Sequence, residues 1–175
     1  MKFTPLELPG VFLLEPEPFL DERGMFMRQF CRRELAEHGL EFSMCQCNIS
    51  GNTKKGTLRG LHYQKAPYLE IKIVSCLKGS FFDVVVDLRP HSPTYLRHIS
   101  MELSAENRKM LYIPPMMAHG FQTLEDDTTA YYQLGEFFHA EAYDGVRWND
   151  PKLGIVWPEC GKRIINERDN NYALL

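Results

Sequence analysis

Long apolar runs are missing from this 175-residue chain. No stretch reaches the ~18 consecutive apolar residues of a membrane-spanning helix, and the opening MKFTPLELPG lacks the apolar run of a secretory signal. Strong charge of either sign is missing too, since 20 Lys and Arg against 23 Asp and Glu leave a formal net charge of −3. Bulk attraction to nucleic acid or an anionic membrane is therefore not expected, and any phosphate binding must be local. The five cysteines (Cys31, Cys45, Cys47, Cys76 and Cys160) form an odd set without regular spacing. With no export signal they read as reduced, buried or half-buried thiols of a soluble, cytoplasmic protein. Cys45 and Cys47 make a C-x-C that would put both sulfurs on one strand face, but no second pair completes a metal site. Repeats, low-complexity tracts and linkers are absent, so one domain over residues 1–175 is expected.

What is present reads mostly as strands. EIKIVSCLKG, SFFDVVVDLR, RHISMELS, KMLYIPP and TTAYYQL are rich in β-branched and aromatic residues, with Lys78-Gly79 and Arg89-Pro90 as turn formers between them. Many short strands at short spacing predict an all-β sandwich or barrel. A short helix is predicted at Arg32–His38, where good helix formers run up to Gly39 at the C-terminal cap position. The last third, EAYDGVRWNDPKLGIVWPECGKRIINERDNNYALL, holds both tryptophans but little periodicity, and is expected to pack as irregular chain on the barrel.

Chemistry concentrates in TLRGLHYQKAPYLEIKIV. Strand alternation puts Gly60, His62 and Gln64 on one face, with Lys72 on the next strand, so a histidine and a lysine can share a cavity. A strand histidine alone is more often structural than catalytic, and His62 needs support from elsewhere. His119, in IPPMMAHGFQTL, is predicted at a loop-to-strand junction near a barrel mouth, as a ligand contact or a satisfied turn residue. Asp83 and Asp87 alternate with apolar residues on the face of Phe81 and Val85, which puts them either inside a barrel or on the solvent side of an edge strand. Arg23 and Arg59 can grip phosphate oxygens in pairs, though surface arginines usually do not. Metal-binding barrels commonly use an H-x-H pair followed by a glutamate; here His62 is followed by Tyr63 and Gln64, and a metal-dependent reading falls below a metal-free one.

RGLHYQ at Arg59–Gln64, SAENRKMLYIPPMMAHGF downstream, GVRWNDPKLGIVWP after it, DERG-x-F at Asp21–Phe26, Gln46-Cys47-Asn48 and the closing NERD at Asn166–Asp169 occur together in one order. The chain resembles the dTDP-4-dehydrorhamnose 3,5-epimerase family over nearly its whole length. The resemblance implies a cupin-type jelly-roll β-barrel with a few short helices, a homodimer with exchanged strands, and a nucleoside-diphosphate 4-keto-6-deoxyhexose as substrate, without metal or redox cofactor. It also implies His62 as catalytic base, Asp169 as the carboxylate that orients it, Lys72 as the cation beside the keto oxygen and Tyr132 as the acid. Arg23, Gln46, Asn48, Arg59 and His119 match positions that contact diphosphate, nucleoside or sugar, and Phe19, Arg28 and Phe138 fall at the walls of the same site.

Three differences set the chain apart from the family pattern. Arg28 stands where a glutamate is usual near the nucleoside base, which admits a base other than thymine. Gln133 replaces a lysine after the tyrosine, and Phe137-Phe138 replace a tyrosine pair, with consequences for whether both C3 and C5 invert. A 3,5-epimerase of a dTDP-linked 4-keto-6-deoxy sugar is thus the leading expectation. Behind it stand a single-centre epimerase or one for another nucleotide sugar, a non-catalytic sugar-nucleotide binding protein, and a metal-dependent cupin.

Overall fold

The computed structural model describes residues 1–175. Its strands are β1 (Lys2–Pro5), β2 (Phe12–Glu15), β3 (Phe19–Asp21), β4 (Gly24–Phe26), β5 (Gln46–Asn52), β6 (Leu58–Gln64), β7 (Lys72–Lys78), β8 (Ser80–Asp87), β9 (His98–Ser104), β10 (Met110–Ile113), β11 (Met117–Thr123), β12 (Thr128–Leu134) and β13 (Tyr143–Gly145), and its helices α1 (Arg32–Glu37) and α2 (Glu167–Asn170). Two antiparallel sheets face each other, one ordered β1-β2-β10-β7-β12-β5 and the other β13-β6-β11-β8-β9. From β5 to β13 the chain repeatedly crosses from one sheet to the other, the jelly-roll pattern that the strand spacing and the resemblance predict.

Side-chain alternation sorts the core into three layers. On β8, Phe81 and Val85 point between the sheets, while Val84 and Val86 point outward to Leu153 and Trp157 in the C-terminal third. The irregular last third is therefore a lid over the outer face of the five-stranded sheet. On β7, Val74 and Cys76 join the layer between the sheets, whereas Ile73 joins Leu35 and Leu40 of the α1 region on the outer face. α1 ends as predicted. Gly39, at φ +71°, gives its N–H to Ala36 O, and the Leu40 N–H returns to Leu35 O, with Leu35 and Leu40 in one apolar cluster.

Asp83 and Asp87 are both fully buried, which removes the solvent-side alternative. Asp87 has a structural task. Its carboxylate accepts from Arg89, Ser92 and Thr94 and is held well below the usual carboxylate range, because those donors outweigh the cost of burial. Cys45 and Cys47 are exposed rather than buried, Cys45 lying just before β5.

Candidate active site

Strict alternation would send Arg59 and His62 to opposite faces, since they are three residues apart. A β-bulge prevents this. In the β6–β11 pairing His62 faces His119 and Arg59 faces Phe121, so Gly60 and Leu61 together oppose Gly120. Leu58 and Leu61 then both reach the outer core, and Arg59 and His62 both line the cavity within. Glycine is required on both strands here. A Cβ on Gly60 would sit 2.6 Å from Gly120 Cα, and one on Gly120 would sit 2.6 Å from Arg59 O.

The cavity, of about 300 Å³, opens at the β5 edge between the two sheets. From the five-stranded sheet come Arg59, His62, His119 and Tyr143; from the other come Gln46, Asn48, Lys72 and Tyr132; Asn166, Arg168 and Asp169 arrive from the C-terminal segment. His62 gives its Nε2–H to Asp169 Oδ1 at 2.8 Å, and Asp169 Oδ2 accepts the Gly60 N–H at 3.1 Å. Asn166 caps α2 by accepting the Asp169 N–H at 2.7 Å, which aims that carboxylate at the bulge.

Because an ionised carboxylate only accepts, Nε2 carries the ring proton and Nδ1 is left as the basic atom. Burial lowers the imidazole from its ordinary range, and Lys72 and Arg168 add to that, while Asp169 pulls the other way. The net direction is down, so His62 is a neutral base at pH 7. Burial pushes Asp169 up, but the bonds from His62 and Gly60 outweigh it and keep the carboxyl ionised. Lys72 is buried, ion-paired to Glu70 at 3.0 Å, and donates to the His62 carbonyl oxygen at 3.3 Å. Burial and the Asp83 charge raise the Tyr132 phenol far above its usual value, so it holds its proton at rest.

Other expectations change. His119 lies in the middle of β11, buried, and not at a loop-to-strand junction, because β11 begins at Met117 directly after the two prolines and the Met116 turn. It still lines the cavity, with Nε2 donating to Asp83 Oδ2 at 2.7 Å. Gln64 does not line the cavity; its amide ties Tyr68 and Phe137 carbonyls and the His139 N–H together. Arg59 keeps its place by donating to Asn52 Oδ1, and Gln46 accepts the Phe138 N–H. Phe138 stands at the mouth, against Tyr143.

Phe19, Arg23 and Arg28 are not at this chain's cavity. Phe19 and Arg23 belong to the β3–β4 ribbon, where Arg23 is 86% exposed and paired with Asp21, and Arg28 pairs with Glu34 at 2.9 Å beside α1. Of the lining residues not expected from the sequence, three stand beside the charged groups. Tyr143 stands 5.1 Å from the His62 ring, Arg168 lies over Tyr143 at 4.8 Å, and Glu70 holds Lys72. Arg168 lies within the NERD motif beside Asp169, and Glu70 enters the sequence only as the glutamate of an incomplete metal pattern, HYQ-x5-E, while nothing marks Tyr143.

A jelly-roll barrel whose cavity joins a neutral histidine–carboxylate pair to a buried lysine and a protonated phenol is built as an isomerase that moves protons. A family model described as dTDP-4-dehydrorhamnose 3,5-epimerase matches residues 5–175, and the chain belongs to that family. It is 40% identical over 172 residues to the enzyme of that name from Shigella flexneri, covering 98% of this chain and 94% of the relative. The Legionella pneumophila dTDP-6-deoxy-D-glucose-3,5-epimerase, solved with dTDP-4-keto-L-rhamnose, superposes with a TM-score of 0.94 at 33% identity, over 99% of this chain and 92% of that one. A 3'-monoepimerase from Streptomyces bikiniensis, solved with dTDP-quinovose, gives 0.91 at 31% identity, over 97% and 86%.

Proposed function

We propose that this protein, as a single domain over residues 1–175, inverts C3 and C5 of dTDP-4-dehydro-6-deoxyglucose to yield dTDP-4-dehydrorhamnose. The observation that carries the reading is the pairing across one cavity of the His62–Asp169 dyad with Lys72 and Tyr132 from the opposite sheet. A proton on carbon becomes acidic when the carbanion delocalises into an adjacent ketone. His62 Nδ1 takes that proton, and Asp169 stabilises the imidazolium that forms. Negative charge gathers on the keto oxygen, where Lys72 supplies preorganised positive charge worth roughly 3–4 kcal/mol. Tyr132, on the facing sheet, returns a proton to the opposite face of the carbon, which inverts it. No metal or redox cofactor enters the scheme.

Gln46, Asn48 and Arg59 hold the diphosphate and nucleoside in this reading, His119 meets the sugar and Phe138 walls the sugar pocket. Phe19, Arg23 and Arg28 enter through a homodimer with exchanged strands. Two features support that assembly. The β3–β4 ribbon has no sheet partner in its own chain and exposes Phe19, Leu20, Met25 and Phe26, and β5 is an unpaired edge. A ribbon of two strands is only marginally stable alone in water. Five unpaired cysteines suit a cytoplasmic setting.

A single-centre epimerase is the second reading, favoured by Phe138, which lacks a phenol where the family pattern has one. Incubation with dTDP-4-dehydro-6-deoxyglucose in D₂O is the test. Deuterium at both C3 and C5 is expected; label at one carbon supports the second reading, and none sinks both for this substrate.

A further inference from the structure

Two histidine–carboxylate pairs stand side by side in the cavity wall. His62 on β6 and His119 on β11 are direct cross-strand partners, and each gives its Nε2–H to a buried aspartate, at 2.8 and 2.7 Å. Their surroundings differ. Asp169 also accepts the Gly60 N–H and has Arg168 Nε at 3.5 Å, whereas Asp83 receives the His119 ring alone. Its other oxygen, Oδ1, is buried without a hydrogen-bond partner. A fully buried carboxylate with one donor is a poorly compensated anion, and the compensation within reach is a second proton on the imidazole that faces it. His119 then has an Nδ1–H to spare.

The His119 ring lies beside the acid. The His119 and Tyr132 rings meet edge to face, with centroids 6.0 Å apart and planes at 76°. The other charged or titratable groups in the wall are Arg59 and His62 on β6, Lys72 on β7 with Glu70 before it, Tyr132 on β12, Tyr143 on β13, and Arg168 and Asp169 of the C-terminal segment. Only Asp83 is ion-paired to His119. Having given its proton to carbon, Tyr132 is a phenolate in a buried site, a costly state unless positive charge or a proton is close by.

We propose that Asp83 and His119 serve the acid half of the reaction, with Asp83 keeping His119 as an imidazolium that restores the proton of Tyr132 after each transfer to carbon. The inference rests on the epimerase reading above. Its proton count closes. Tyr132 O–H protonates the enolate carbon, His119 N–H reprotonates the phenolate, and His62 holds the proton taken from the sugar. On product release His62 sheds one proton to water and His119 regains one, and nothing is oxidised or reduced. Two inversions in one binding event need two protons from the Tyr132 wall, of which the phenol holds one and His119 the other, and His62 sheds its first proton to water before it takes the second. Asp83 is thus a positioning residue, acting through His119.

The test separates deuterium entry from inversion. Asp83→Asn keeps the size of the side chain and removes its charge. In D₂O, inversion by the variant is expected to fall about 10²-fold, the order of one positioned acid, with singly inverted product accumulating. Exchange into recovered substrate through His62 should fall far less. Equal loss of both, or no loss of inversion, overturns the proposal. Nitrogen NMR of the native protein at pH 7 gives a reading independent of turnover: both ring nitrogens of His119 protonated and one of His62. A singly protonated His119 overturns the proposal even if the variant does not fold. Failure of the native protein to exchange any sugar proton would instead overturn the epimerase reading, leaving the His119 charge to the NMR result.

Discussion

In the cavity wall, charged side chains are tied to distant parts of the chain: His62 to Asp169, His119 to Asp83, and Lys72, besides Glu70 two residues away, to the His62 carbonyl oxygen on the facing sheet. On the β3–β4 ribbon, Arg23 pairs only with Asp21 two residues away, and four large apolar side chains face outward. Both regions draw on arginines and aromatics. They differ in whether one chain can bury them. The wall is closed by two sheets and a C-terminal segment, while the ribbon has a partner only in itself, so a functional role for Phe19 or Arg23 depends on a second subunit.

The largest effect should come from the wall. His62→Asn is expected to lower both deuterium exchange and kcat by about 10³–10⁴-fold, the upper range for one acid–base group; retention of exchange would end the base assignment. Lys72→Ala should lower kcat by about 10²–10³-fold with KM moved much less, because its charge is used when the enolate forms. A change confined to KM would make Lys72 a binding residue. Phe26→Asp on the ribbon should halve the mass seen by light scattering and raise KM by about tenfold, the worth of ~1.4 kcal/mol of lost ribbon contacts. An unchanged dimer, or a monomer with native KM, would sever the ribbon from the site.

The smallest and sharpest effect is on pH. The His62 imidazole lies below its ordinary value of 6.5, chiefly through burial, so the acid limb of kcat/KM should fall below pH 6.5. Asp169 raises His62 within that balance. Asp169→Asn should therefore move the limb to still lower pH as it slows the enzyme; a limb shifted upward would show that the dyad works in the opposite sense.

Much of the barrel was legible. The strand segments from Glu70 to Leu134 stood out by their β-branched and aromatic content, and Gly39 marked the end of α1. Lys72 and His62 were predicted to share a cavity from strand order alone, and they do. The bulge was not legible, because alternation assumes an uninterrupted ladder and Gly60 and Gly120 lie 60 positions apart in the chain. Asp169 was found through the family resemblance alone. Its bond to His62 spans 107 residues, a separation that periodicity cannot reach. Tyr143 was missed for a similar reason, sitting on a three-residue strand too short to show a pattern.

The sequence by itself determined the all-β class, the α1 stop at Gly39 and the kinds of chemistry at hand, because these follow from local propensity, side-chain period and residue type. Tertiary structure alone decided that Arg59 and His62 share a wall and that Asp87 is a loop anchor while its neighbour Asp83 serves a cavity histidine. It also decided that His62 has one aspartate with a further N–H donor and His119 one without. Charge and hydrogen-bond balance in a buried site depend on atoms brought together from distant parts of the chain, and only folding brings them there.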